Sequence, residues 1–135
     1  MKRTLLLLLC TITIGLSACK KETIITEPVN RTILFDIFPQ DWTPSTDGLS
    51  YYRDIQVPEN TADFNQSGQI VVAMSFEDVN IYEGLPQVYK GLTYRFTTEP
   101  GFVRIILNDP YDAPVSRPTF ESTAKVTLID GRIID

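Results

Sequence analysis

Between residues 92 and 108 the chain alternates apolar and polar side chains with a period of two, and Pro100-Gly101 interrupts the alternation at its midpoint. Leu92, Tyr94 and Phe96 fall on one face, with Thr93, Arg95 and Thr97 on the other. Val103, Ile105 and Leu107 repeat the pattern after the break, alternating with Arg104 and Ile106. Proline presets φ at a turn and glycine accepts φ > 0 beside it, so the segment predicts a β-hairpin. The same period recurs over residues 31–38, where Ile33, Phe35 and Ile37 share a face, and over 51–57, where Arg53 is the one polar residue on the apolar side. It recurs again over 119–129, with Ala124, Val126 and Leu128 inward and Lys125 and Thr127 outward. Residues 69–76 read Ile-Val-Val-Ala-Met, apolar on both faces, the pattern of a central strand. Ile133 and Ile134 extend the last strand in this reading, after a turn at Asp130-Gly131.

Nowhere does an apolar stripe at a spacing of 3.6 last long enough for a core helix. One short helical turn is predicted, capped by Asn60 or Thr61, carried by Ala62-Asp63-Phe64 and stopped at Gly68. Six to seven strands separated by turn signals define an all-β chain, a single antiparallel β-sandwich over residues 31–135. Trp42, between the first two strands, is expected to plug one end of its core. Residues 111–118, with Pro110, Pro114 and Pro118 about them, read as a stiff connection crossing from one sheet to the other.

The first 30 residues are of a different kind. Lys2 and Arg3 precede an apolar run through Leu5–Leu9 to Ile14, then Leu16-Ser17-Ala18-Cys19. A basic start, a short apolar core and small residues before the break form a secretory signal, and the run is too short for a stable span. Leu-Ser-Ala-Cys resembles the lipobox of bacterial lipoproteins, which implies cleavage after residue 18 and acylation of Cys19. Residues 19–30 then form a polar, lipidated tether containing Pro28. Acyl chains contribute about 0.8 kcal/mol per buried methylene, so two or more hold a domain stably on a membrane.

Several chemistries are closed by composition. The chain has no histidine, which removes Ser-His and Cys-His pairs, HExxH zinc sites and an imidazole base. Both cysteines, Cys10 and Cys19, precede the folded part, leaving it no disulfide, thiolate nucleophile or cysteine metal site. Cleavage after residue 18 removes Lys2 and Arg3, taking 12 basic residues to 10 against 17 acidic ones, a net charge of −7. Lys20 and Lys21 stand beside the lipid, where they can meet anionic headgroups. The acidic remainder excludes a nucleic-acid partner, whose phosphates demand clustered Lys and Arg. No cofactor or metal is implied.

Phe35-Asp36, Trp42, the stretch Ile55-Gln56-Val57-Pro58-Glu59-Asn60-Thr61, Ser67-Gly68-Gln69-Ile70-Val71-Val72 and Leu85-Pro86 together resemble a group of small lipoproteins of the Bacteroidota. The likeness spans most of residues 31–130 as a loose pattern of strands and turns. It implies a β-sandwich in a Gram-negative envelope, outer-membrane anchored, with no known catalytic set. Members that reach the cell surface carry acidic residues just after the cysteine, whereas here Lys20 and Lys21 come before Glu22.

Three groups of side chains are candidate sites. Asn108-Asp109-Pro110-Tyr111-Asp112 offers side-chain oxygens, but a calcium loop needs six to eight and a glycine at its sharp turn in the EF-hand version, so a self-bonded turn is the expectation. Glu77, Asp78 and Glu83, flanked by Phe76 and Tyr82, are a solvated acidic loop in the same reading. The alternative is a carboxylate-based glycan hydrolase using two of Glu77, Asp78, Glu83, Asp109 and Asp112. Of the six tyrosines, Tyr52, Tyr82 and Tyr111 are the candidate ligand surface, since exposed Tyr offers flat amphipathic area to sugars or proteins. The functional expectation is a non-catalytic interaction or structural module with an envelope protein or glycan partner. An accessory carbohydrate-binding protein is the remaining alternative.

Overall fold

The computed structural model describes residues 30–131. The signal segment 1–18, Cys19, most of the tether, and Ile133 and Ile134 lie outside the described residues. The chain is an antiparallel β-sandwich of two sheets. One sheet has the order β1-β9-β4-β5, formed by Arg31–Ile37, Ser122–Ile129, Gln69–Phe76 and Glu83–Gly84. The other has the order β2-β3-β8-β7-β6, formed by Thr43–Pro44, Ser50–Val57, Gly101–Asn108, Leu92–Glu99 and Gln87–Tyr89. The six long strands are those the alternation predicts. The other three are two or three residues long and carry no periodic signal of their own.

The hairpin forms in the expected register, with Glu99 opposite Phe102 across a two-residue turn. Gly101 has φ 92°, a left-handed value that a β-carbon would strain. Its inward residues Tyr94, Val103, Ile105 and Leu107 are buried, and they meet Val72, Met74, Val126 and Leu128 of the opposite sheet in one core.

Residues 69–76 form an interior strand of their sheet, as expected, though with unequal neighbours. β4 pairs along its whole length with β9, but β5 covers only Ala73 and Met74 on its other side. The strand flanked by full partners is β9, between β1 and β4. Val71 remains 40% exposed although it belongs to the apolar run. In a two-layer sandwich even an interior strand keeps one face toward solvent, so an apolar run on both faces does not mean burial on both. The last strand also starts at Ser122 rather than 119, because the preceding residues complete the crossing between sheets.

The short helix α1, Ala62–Ser67, is capped by Thr61, whose side chain accepts from the Phe64 amide. Gly68 ends it without a left-handed φ; a β-carbon there would come within 2.6 Å of the Phe64 ring. Close approach of the Phe64 ring, not backbone freedom, is what glycine accommodates here without moving that ring. Asn60 is the buried joint at this end. Its amide donates to the Val57 carbonyl at 2.9 Å, its Nδ2 to the Glu99 carbonyl at 2.7 Å, and its own carbonyl accepts from Gly101 at 2.7 Å. The end of β3 is thereby tied to the hairpin turn.

The register separates two ends. Arg31, where the described chain begins, pairs with Leu128 at the end that also holds α1, Asn60 and the Pro100-Gly101 turn. Ile37 and Phe76 both pair with Ser122 at the other end. The eight-residue β4 sets these ends roughly 25 Å apart. We call the first proximal and the second distal.

Tyr94 is 1% exposed, and burial pushes its phenol up to about 12. Its protonated form is therefore favoured by folding. That contribution is complete below the unfolded value near ~10 and is lost as pH rises toward the folded one. Urea unfolding at increasing alkalinity is expected to show stability falling by up to roughly 3 kcal/mol across this window, at ~1.4 kcal/mol per pH unit. Tyr94→Phe should flatten that slope; an unchanged slope would place the alkaline sensitivity elsewhere.

Candidate functional site

The long connections collect at the distal end. The first runs from β1 through the 3-10 turn Pro39–Asp41 and on to Ser50; the second joins β4 to β7; the third, residues 109–121, crosses from β8 to β9. The first brings Asp41 and Asp47 to this end, beside Asp36 near the end of β1; the second brings Glu77, Asp78 and Glu83; the third brings Asp109, Asp112 and Glu121. Lys90 and Arg117 are the cationic residues in these segments.

Glu77 is the hub. It follows the last residue of β4 with φ 52°, in the left-handed region, which turns its side chain across the end of the sheet. Its carboxylate accepts from Lys90 Nζ at 2.8 Å and from the Tyr89 hydroxyl. Those two bonds, Lys90's first, hold Glu77 below the usual carboxylate range, while the bond to Glu77 raises both Tyr89 and Lys90. Tyr89 stacks on Phe76 with centroids 4.3 Å apart, and Phe120 meets Tyr89 edge-on at 5.6 Å. Phe76 meets Tyr94 at 4.9 Å, and Tyr94 meets Trp42 at 6.2 Å. The ion pair thus sits on an aromatic column continuous with the core, and Trp42 closes that end as its sequence position suggests.

Two open grooves share Glu77. One, of about 460 Å³, has Asp36 and Glu121 on its rim and Phe38, Val79 and Phe120 as apolar wall. The other, of about 390 Å³, is lined by Phe76, Asp78, Ile81, Glu83 and Tyr89. Val79 is 71% exposed and Ile81 59%. An apolar pair standing out of an acidic loop is not explained by packing, and exposed apolar area rimmed by polar groups marks interaction surfaces.

The three acids of the second connection are therefore brought to one groove, whereas Asp109 and Asp112 are not. Asp109 Oδ1 accepts from the Tyr111 amide at 2.7 Å and its carbonyl accepts from the Asp112 amide at 3.2 Å. That is the self-bonded turn the sequence predicts. Among the described residues, no three His, Cys, Asp or Glu side chains are grouped to hold a metal ion.

The three candidate tyrosines stand apart. Tyr52 lies on the outer face of the five-stranded sheet under Arg104, whose guanidinium is 4.4 Å from the ring centroid and forks onto Asp54 at 2.6 and 2.8 Å. Tyr82 lies against the outer face of the four-stranded sheet, with Lys125 Nζ 3.9 Å from its centroid. Tyr111 is 90% exposed on the third connection. Tyr52 and Tyr82 face opposite ways, so the three do not build one surface. Residue type selected them, while the apolar walls of the two grooves come from Phe38, Val79 and Phe120 in one and from Ile81 with Phe76 and Tyr89 in the other. The readable signal for these grooves was Val79 and Ile81, one in each, apolar residues in a segment with no strand pattern.

Fold and site together define an antiparallel β-sandwich with an acidic, apolar-tipped loop end. No family model, curated protein or solved structure matches the chain. Among the described residues, no helix is long and apolar enough to cross a membrane.

Proposed function

We propose that this chain is a lipid-anchored, non-catalytic interaction module of a Gram-negative envelope, tethered through Cys19 at the outer membrane and engaging a protein partner with its distal end. The observation that carries this reading is the polarity of the sandwich. The chain enters at Arg31 on the proximal end, while the exposed Val79 and Ile81 stand on the distal one. An anchor at residue 19 would therefore join the lipid to the end opposite the apolar loop. The resemblance to small Bacteroidota lipoproteins supports the same placement.

The rival reading, a carboxylate hydrolase, has one observation in its favour: Glu77, Asp78 and Glu83 line one groove. Such an enzyme needs one carboxyl held protonated near neutrality. Glu77, which lines this groove, is shifted the other way, lowered by its bonds from Lys90 and Tyr89. Cleavage of envelope glycans that is lost in Asp78→Asn and Glu83→Gln would establish the rival.

A photo-crosslinking residue placed at 79 or 81 in intact envelopes is expected to yield a discrete adduct. The same residue at 63, on the exposed side of the proximal helix, is expected to yield none. Equal labelling from both ends, or none from either, would defeat the interaction reading.

A further inference from the structure

The groove between Glu77 and Glu121 has a composition that selects among partners. Its rim carries the carboxylates of Asp36, Glu77 and Glu121, and none of its lining residues is basic. Glu77 is compensated by Lys90, but among the described residues Asp36 accepts only from Thr123 Oγ1, at 3.0 Å, and neither Asp36 nor Glu121 has a cationic partner there. Phe38, 39% exposed, Val79, 71% exposed, and Phe120 line the same groove. Phosphate-bearing ligands and anionic headgroups are repelled by this rim. A neutral sugar stacked on the exposed Phe38 would leave the carboxylates of Asp36 and Glu121 without a counter-charge.

What fits is a chain that brings positive charge and an apolar side chain together. We infer that this groove takes an extended polypeptide segment of a partner protein, with Lys or Arg set against Asp36 and Glu121 and an apolar residue seated between Phe38 and Val79. The inference rests on the interaction reading above and adds the chemistry of the partner. Carboxylates from all three distal connections extend the negative field beyond the groove, which speeds encounter with a basic surface and disfavours acidic ones.

The test uses the full chain, reconstituted in nanodiscs of zwitterionic lipid, to select from a displayed library of random dodecapeptides. Enrichment of peptides combining Lys or Arg with aliphatic or aromatic residues is expected. The best of them, titrated by fluorescence anisotropy, should weaken by about tenfold or more in the double variant Asp36→Asn, Glu121→Gln. It should weaken severalfold in Val79→Ser, lose affinity as salt is raised, and keep its affinity in Asp63→Asn, Glu99→Gln at the proximal end. Thermal unfolding verifies that each variant is folded. If acidic or uncharged peptides are enriched and still depend on Val79, the cationic partner is wrong and the interaction reading survives. If no peptide is enriched, or proximal and distal variants weaken binding alike, both fall.

Discussion

Trp42→Ala is expected to lower the unfolding free energy by about 3–5 kcal/mol, the largest effect of any single truncation in the core. The indole is 2% exposed and packs edge-on against Tyr94, whose ring continues the column to Phe76. Removing it leaves a cavity that the neighbouring strands, held in register on both sides, cannot close. The edge-on pair adds about 0.5–1.5 kcal/mol to area burial alone. Trp42→Phe is the informative companion. It retains most of the apolar volume and deletes an indole N–H that is buried without a hydrogen-bond partner among the described residues, so it should be far milder than alanine. Chemical denaturation of the three proteins decides the matter. A loss under about 1 kcal/mol in Trp42→Ala would mean that the distal end is closed by something else.

Cys19→Ser should abolish acylation. Each buried methylene contributes about 0.8 kcal/mol, so a chain bearing two or more acyl groups is effectively fixed to its membrane, whereas a single chain binds only marginally. Metabolic labelling with a clickable fatty acid should mark the wild-type protein and leave the serine variant blank. Intact-mass analysis should place the mature N-terminus at residue 19 in the wild type alone. Detergent partition by itself does not discriminate, since an uncleaved apolar run through Leu5–Leu9 also partitions. Label retained in Cys19→Ser, or a wild-type N-terminus elsewhere, would remove the anchor from the proposed function and with it the meaning of proximal and distal.

The alternating segments were legible because burial of one sheet face imposes a period of two, which residues 92–108 and 122–129 display almost without exception. The helix was legible from its ends, Thr61 and Gly68, though the reason for Gly68 turned out to be the Phe64 ring. The very short strands Thr43–Pro44, Glu83–Gly84 and Gln87–Tyr89 were not, because two or three residues cannot show a period and pair only where a neighbouring strand offers a free edge. The candidate site was legible in part. The acids Glu77, Asp78 and Glu83 are close in sequence and meet at one groove, but Glu121 and Phe120 reach the same end from the far side of the crossing connection. Tyr52 and Tyr82 could not be assigned to opposite outer faces without knowing which sheet each segment joins.

Patterning by itself determined that this chain is all-β, that it turns at Pro100-Gly101, that Trp42 is buried, and that catalysis by histidine or a folded-domain thiol is absent. Those properties follow from local sterics and from residue identity, both written directly in the chain. Only the tertiary structure decided that Ser122–Ile129 runs between two full-length partners, that Glu77 is spent on Lys90 and Tyr89, and that the apolar tips stand at the end opposite Arg31. The Glu77 contacts span only 12 and 13 residues and depend on how β6 is placed, whereas the first and third depend on strands that pair over long separations, for example Thr123 with Asp36 at 87 residues. A contact of that range is set by the best joint burial of all the strands at once, and no window of sequence contains it.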